Sequence, residues 1–299
     1  MERKRRMTNQ IKNVCKHAAT AALVLISLFA ISGCQTTKTT AVSDKEKTVE
    51  SSKVIEKTTI PTLFFHGYSG TENSFKGMLQ RLEKNQKAVK ELVLIVEADG
   101  QIQAEGDLSG KADNPMVQVL FADNKNNEWN QAEWIKSCLL YLKENYSIDK
   151  VNIVGHSMGG VSALRYLGTY GQDTSLPQVQ TFTAIGAPFN DFVDVSGQSL
   201  TEELAKGPAV VSSRYQDYQQ IIGNMPTTTR FFLIAGQLDE ADLSDGTVPL
   251  NSALAVYALL KQHGNEVEEK IVKGENAAHS MLHENQEVDQ LVSRFVWKE

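Results

Sequence analysis

The chain has 299 residues, enough for one catalytic-sized domain with its own buried core. Its 36 acidic residues outnumber its 30 Lys and Arg, which gives a formal net charge of −6. This balance disfavours nucleic-acid binding, because phosphate contacts require concentrated Lys and Arg.

The first 33 residues have the pattern of an export signal. A basic stretch at 3–6 precedes an apolar segment at 18–31, which is too short to span a bilayer comfortably. Ile31-Ser32-Gly33-Cys34 follows, and it resembles the processing box of bacterial lipoproteins. We therefore expect residues 1–33 to be removed and Cys34 to carry a diacylglyceryl group, since two acyl chains suffice for stable anchoring. The alternatives are an ordinary signal anchor and a secreted protein with an incidental cysteine.

Residues 34–59 are predicted to form a disordered tether, because they are rich in Thr, Ser, Lys and Glu and have almost no large apolar residues. Removal of residues 1–33, which hold six bases and one acid, would leave 24 bases and 35 acids, a net charge of −11. Such a domain has no general attraction to anionic lipid. The lipid on Cys34 would then hold it at the membrane.

Residues 60–299 alternate strands with helices, which predicts a mostly parallel sheet covered on both faces, a single α/β domain. In chain order, the first expected elements are a strand at 62–65, a helix at 73–82, and β-like stretches at 91–97 and 116–122 with a hairpin turn at 99–100. A helix at 130–146 and a strand at 151–154 follow, with a further helix that begins at 158. The last expected elements are strands at 181–185, 231–235 and 267–272 and a terminal amphipathic helix. Cys138 falls on the apolar face of its helix, which predicts a packed thiol without a disulfide partner.

The segment Gly155-His156-Ser157-Met158-Gly159-Gly160 follows an apolar run and precedes a helical stretch. This is the context of a G-x-S-x-G nucleophile elbow, in which a strained turn exposes the serine at a helix N-terminus. Ser157 is therefore the candidate nucleophile. We expect glycine at 155 and 159 because side chains there would collide with adjacent backbone.

A second loop, His66-Gly67-Tyr68-Ser69-Gly70, follows the first predicted strand. In enzymes with this elbow, two backbone N–H groups bind the oxyanion, one just after the nucleophile and one from such an earlier loop. The candidates are Met158 and Tyr68. His66 is expected to structure its loop through hydrogen bonding, and His156 to pack beside the strand.

Two further residues complete a possible triad. Asp245 follows the strand at 231–235 and is the candidate acid, and His279 precedes the terminal helix and is the candidate base. The order Ser, Asp, His is that of α/β-hydrolase triads. Asp239 is the alternative acid, and His283, which we expect inside the terminal helix, is the alternative base. The acidic loop around Asp239 also permits calcium, although a solvated loop is the simpler interpretation.

Residues 189–228 leave the predicted sheet and return to it, which makes them a candidate cap over the serine. Six of their apolar residues are candidates to line an acyl or aryl pocket or, alternatively, to form the inner face of an ordinary surface helix: Val210, Val211, Tyr215, Tyr218, Ile221 and Ile222.

On these motifs, residues 60–299 resemble the α/β-hydrolases, and more closely the surface-anchored, lipase-like hydrolases of Gram-positive bacteria. The resemblance implies a Ser-His-Asp hydrolase that needs no cofactor, but it does not imply which bond is cut. We expect no metal and a small-molecule or lipid ester as the substrate. The resemblance also places the protein on the outer face of the cell membrane. Acyl transfer, thioester or peptide cleavage with the same triad, and a non-catalytic surface binding protein are the alternatives.

Overall fold

The computed structural model describes residues 57–193 and 198–298, which belong to one compact unit, Lys53–Glu299. The predicted signal peptide, Cys34 and most of the predicted tether lie outside the described residues. Residues 57–59, which we predicted to belong to the tether, are instead joined to the domain. The Thr58 N–H donates to Asn114 Oδ1 at 2.8 Å, and the Asn114 N–H donates to the Thr58 carbonyl at 2.9 Å.

Eight strands form one sheet in the order β3-β2-β4-β1-β5-β6-β8-β9. The β2–β3 pair is antiparallel, which confirms the predicted hairpin, and every other pairing in this sheet is parallel. The strands are β1 (Thr62–Phe65), β2 (Val89–Val96), β3 (Ile102–Gly106), β4 (Pro115–Phe121), β5 (Lys150–His156), β6 (Gln178–Ile185), β8 (Arg230–Gln237) and β9 (Val267–Lys273), and a short strand β7 (Phe189–Phe192) lies outside this order.

Helices cover both faces of the sheet, as predicted, and so the central strands read as continuous apolar runs rather than alternating ones. All four residues of β1 are buried. The helices are α1 (Asn73–Lys84), α2 (Glu128–Tyr146), α3 (Met158–Tyr170), α4 (Leu200–Lys206), α5 (Ser213–Ile221), α6 (Leu250–Leu254), α7 (Tyr257–His263) and α8 (Gln286–Trp297), with 3₁₀ turns at Ile222–Asn224, Glu275–Ala277 and His279–Glu284.

Two separate apolar clusters result from this layering. Helices α1 and α8 pack on one face around Phe75 and Val292, and α2 and α3 pack on the other around Ile135 and Leu164. Cys138 is fully buried in the second cluster, and burial raises the pKa of its thiol, which confirms a packed core cysteine. None of the helices in the described part of the chain has the length and apolar character needed to cross a membrane.

The candidate cap contains β7, α4 and α5. Tyr215 and Tyr218 on α5 are buried in the apolar cluster around Ile135 and Leu164. The Tyr218 hydroxyl donates to the Val161 carbonyl on α3 at 3.1 Å. The buried carboxylate of Glu128 on α2 accepts from Arg214 Nε of α5 at 2.7 Å. Through these contacts α5 has a packed inner face, which was the alternative to a pocket lining. Motion of this segment as a cap stays a prediction.

Candidate active site

The turn between β5 and α3 has the strained geometry expected of a nucleophile elbow. Ser157 has φ 54° and ψ −124°, in a region that residues with a side chain rarely adopt. Its carbonyl accepts from the Gly160 N–H at 3.0 Å, which begins the helix. A Cβ at Gly159 would lie 2.3 Å from the carbonyl oxygen of Phe65. Only glycine at 159 allows α3 to approach β1 this closely.

His279 lies beside Ser157, although 122 residues separate them. The two polar atoms, His279 Nε2 and Ser157 Oγ, are 2.9 Å apart. On the other side of the ring, Nδ1 lies 2.7 Å from Asp245 Oδ2. An ionised carboxylate only accepts, so Nδ1 carries the proton and Nε2 is left to accept from the serine hydroxyl. This is the tautomer that a general base needs in this position.

Asp245 is held by its own turn. Its side chain is almost fully buried, and Oδ1 accepts from the backbone N–H groups of Thr247 at 3.0 Å and Val248 at 2.6 Å. The Asp245 carbonyl also accepts from the His279 N–H at 2.8 Å. The aspartate therefore contacts both the ring and the backbone of His279.

The two alternative residues occupy other positions. Asp239 Oδ1 accepts from the N–H groups of Ala241 and Asp242 at 2.7 and 2.8 Å, so this carboxylate closes its own exposed loop. His283 does not lie inside α8 as expected, because the 3₁₀ turn His279–Glu284 extends over both histidines and α8 begins only at Gln286. Its imidazole contacts the ring of His156, at a centroid distance of 4.8 Å.

The predicted oxyanion loop lies against the elbow. A Cβ at Gly67 would fall 2.8 Å from Ser157 Cβ, so the backbone just before Tyr68 touches the candidate nucleophile. Met158 is the first residue of α3, where the backbone N–H groups have no partner within the helix and carry partial positive charge. The two predicted donors thus belong to segments that meet at Ser157.

His66 stabilises this loop. Its Nδ1 lies 2.8 Å from the Gly67 carbonyl, and its Nε2 accepts from the Phe121 N–H at 3.1 Å. These partners require the proton on Nδ1 of a neutral ring. Burial lowers the pKa of His66, which agrees with a neutral ring. Its hydrogen bonds have the loop-structuring pattern that we expected.

Several residues around the triad carry no sequence motif. Gly186 has φ +55°, and a Cβ there would lie 3.0 Å from Asp245 Oδ2 and 3.3 Å from His279 Nδ1. The only sequence signal for this position is Gly186-Ala187-Pro188 after β6. It indicates a turn but does not indicate which residues the turn contacts.

Arg81 on α1 is a second such residue. It donates to Asp289 at 2.5 Å, to Glu284 at 2.9 Å and to the His283 carbonyl at 3.1 Å. Arg81 therefore anchors the 3₁₀ turn that carries His279. Residues about 200 positions apart form this contact, and no local pattern indicates it.

Three exposed apolar side chains belong to the segments that carry candidate site residues. Tyr68 is 57% exposed, Leu243 55% and Met281 40%. Each lies within two residues of a candidate site residue along the chain or is one itself. Exposed apolar groups around a polar centre are typical of surfaces that bind apolar ligands.

Within residues 57–193 and 198–298, no group of three or more His, Cys, Asp or Glu side chains is arranged to hold a metal ion. In the acidic loop at 239–242, the Asp239 carboxylate accepts hydrogen bonds from the loop's own backbone. The expectation that the reaction needs no cofactor stays a prediction.

Comparison with known proteins identifies a family. Residues 49–299 match a family model described as alpha/beta hydrolase of unknown function (DUF915). The solved structure of a gene product from Listeria innocua is 28% identical with a TM-score of 0.75, over 80% of this chain and 94% of that one. A proposed cell surface hydrolase from Lactobacillus plantarum WCFS1 is 24% identical with a TM-score of 0.67, over 80% and 92% of the two chains. No curated protein matches this chain at a significant level.

Proposed function

The chain belongs to the family of alpha/beta hydrolases of unknown function, and from this we propose that it is an exported, lipid-anchored serine hydrolase that cleaves carboxylic esters through an acyl-enzyme on Ser157. The observation that carries the proposal is the continuous hydrogen-bonded series from Ser157 through His279 to Asp245, with distances of 2.9 and 2.7 Å. Hydrolysis through a serine triad uses a nucleophile, a base and an orienting acid connected in this order.

In the proposed reaction, His279 Nε2 removes the hydroxyl proton as Ser157 Oγ attacks the ester carbonyl. Asp245 holds the ring and stabilises the imidazolium that forms. The backbone N–H groups of Tyr68 and Met158 bind the oxyanion, and each such donor is worth about 3–4 kcal/mol. His279 then returns its proton to the leaving alcohol. In the second half, it activates the water that hydrolyses the acyl-enzyme.

Two features support an ester with apolar substituents. Tyr68, Leu243 and Met281 offer exposed apolar surface on the segments that carry candidate site residues. The domain is also acidic, so contact with apolar surface rather than general charge attraction would bring a lipid ester to the site.

Anchoring through Cys34 is supported by the sequence at 31–34, and a surface location agrees with the description of the Lactobacillus plantarum neighbour.

Fluorophosphonate labelling of the purified protein tests the proposal, because the reagent traps an activated serine. Wild type should be labelled and should hydrolyse p-nitrophenyl esters, and Ser157→Ala should lose both properties while keeping its thermal unfolding transition. Ser213→Ala, which alters an exposed serine on α5, is the matched control and should behave as wild type.

The same assays distinguish the alternatives. A wild-type protein that neither reacts with the reagent nor turns over any ester would be a non-catalytic scaffold, and the proposal would be rejected. A series of acyl chain lengths ranks the substrates. Added alcohols or amines that divert the acyl group would indicate a transferase.

A further inference from the structure

His156 precedes the candidate nucleophile and lies between three parts of the site. It is 6% exposed, and its ring centroid is 4.6 Å from that of His279. A Cβ at Gly67 would lie 3.4 Å from His156 Nδ1, so the ring also borders the loop that carries Tyr68. Neither the nucleophile elbow nor the triad by itself gives this histidine a role.

A hydrogen bond from its ring connects the nucleophile strand to the backbone of the base. His156 Nε2 lies 3.0 Å from the carbonyl oxygen of His279. A carbonyl only accepts, so Nε2 carries the proton and donates. Residue 279 is then held at three points, because Asp245 binds its N–H at 2.8 Å and its Nδ1 at 2.7 Å.

The contacts to Asp245 come from the loop after β8, whereas the contact from His156 comes from β5, the strand that ends beside Ser157. Asp245 fixes the base to its acid, and His156 fixes it to its nucleophile. A base must stay within about 0.5 Å of its productive position to remain effective. We propose that His156 is a positioning residue, which holds the backbone of His279 so that its Nε2 stays in hydrogen-bonding reach of Ser157 Oγ. The inference rests on the proposed function.

The ring is suited to this role because it stays neutral. Burial, and next the positive charge that His279 and His283 can carry, lower the pKa of His156 well below its ordinary value. It therefore does not compete for the proton that His279 takes from Ser157. His283 also packs against the His156 ring, with the two planes at 85°, and restricts it.

The test compares His156→Phe, which keeps an aromatic ring without a donor, with His156→Gln, which places an amide N–H at a similar distance from the backbone. With a short p-nitrophenyl ester, His156→Phe should lower kcat by about 10-fold and change KM by less than about twofold, since only the base is displaced. His156→Gln should recover most of that loss. If the Phe variant does not fold, His156→Leu replaces it as the donor-free variant.

A second measurement does not depend on turnover. Proton NMR of the His279 ring follows exchange of Nδ1–H with water, which should accelerate in the donor-free variant and return toward the wild-type rate with Gln. Unchanged kcat and unchanged exchange in a folded donor-free variant would overturn the inference, as would a Gln variant as impaired as Phe. Absence of ester turnover in wild type would reject the proposed function instead, and the exchange rates would still test the positioning role.

Discussion

Replacement of Asp245 by Asn should inactivate the site without unfolding the protein. Oδ1 of Asp245 accepts from two backbone N–H groups, those of Thr247 at 3.0 Å and Val248 at 2.6 Å. An Asn side chain must keep its carbonyl oxygen toward these donors, since an amide NH₂ there would face two other donors. Its NH₂ group then faces His279 Nδ1.

This geometry reverses the tautomer of His279. Nδ1 must accept from the new NH₂ group, so the ring proton moves to Nε2, which then points at Ser157 Oγ and cannot remove its proton. A tautomer inverted in this way costs about 10⁴-fold in kcat, or about 5 kcal/mol of transition-state stabilisation. The fold should tolerate the change because both backbone hydrogen bonds to the turn are kept.

The assay is steady-state hydrolysis of an activated ester, with the thermal unfolding transition measured in parallel. Asp239→Asn is the matched control, because that carboxylate closes an exposed loop in the same connection and should leave kcat unchanged. A folded Asp245→Asn variant that keeps kcat within about tenfold of wild type would refute the tautomer argument.

Two further predictions concern stability. Gly159→Ala places a methyl group 2.3 Å from a backbone carbonyl of β1 and should lower the free energy of unfolding, measured by urea denaturation, by about 1–3 kcal/mol. Gly223→Ala is the control and should be close to neutral, because a Cβ there has nothing within 4 Å. Equal stabilities of the two variants would contradict the packing argument. His66, His156 and His283 have lowered pKa values, chiefly because they are buried, so the unfolded chain binds more protons as pH falls below the ordinary value of 6.5. The free energy of unfolding should therefore fall from about pH 7 to about pH 5, and His156→Gln should reduce that slope by up to about 1.4 kcal/mol per pH unit. An unchanged slope in that variant would mean that His156 is already charged in the folded protein.

The layered architecture could be predicted from the sequence because each element carries its own signal. A buried strand such as β5 reads as a continuous apolar run, and a helix such as α1 repeats its apolar residues every three or four positions. The mostly parallel sheet with its antiparallel hairpin is confirmed on this basis, and the α/β-hydrolase fold, which we expected from the site motifs, is confirmed as well. The apolar pattern does not define where a helix begins. α2 begins at Glu128 rather than at 130, since Asn127 caps it by accepting from the Asn130 N–H.

The candidate site divides in the same way. The elbow around Ser157 is local, and so its spacing together with the strand before it and the helix after it predicts it. The choice between Asp245 and Asp239 depends on which carboxylate meets an imidazole 34 residues further along the chain, and the choice between His279 and His283 on which imidazole meets a serine 122 residues before it. No periodicity records such contacts. The structure joins Asp245 and His279, while their catalytic roles stay predictions.

By itself, the amino-acid sequence determined most strands of the sheet, its long helices and where the strained serine lies, because backbone sterics and apolar periodicity act over a few residues. Only the tertiary structure decided which imidazole faces Ser157 and which carboxylate contacts that imidazole. It also showed that His156 and Gly186 lie against them and that Arg81 anchors the turn that carries His279. Such contacts join segments that are distant along the chain, and they exist only once the sheet has brought those segments to one edge.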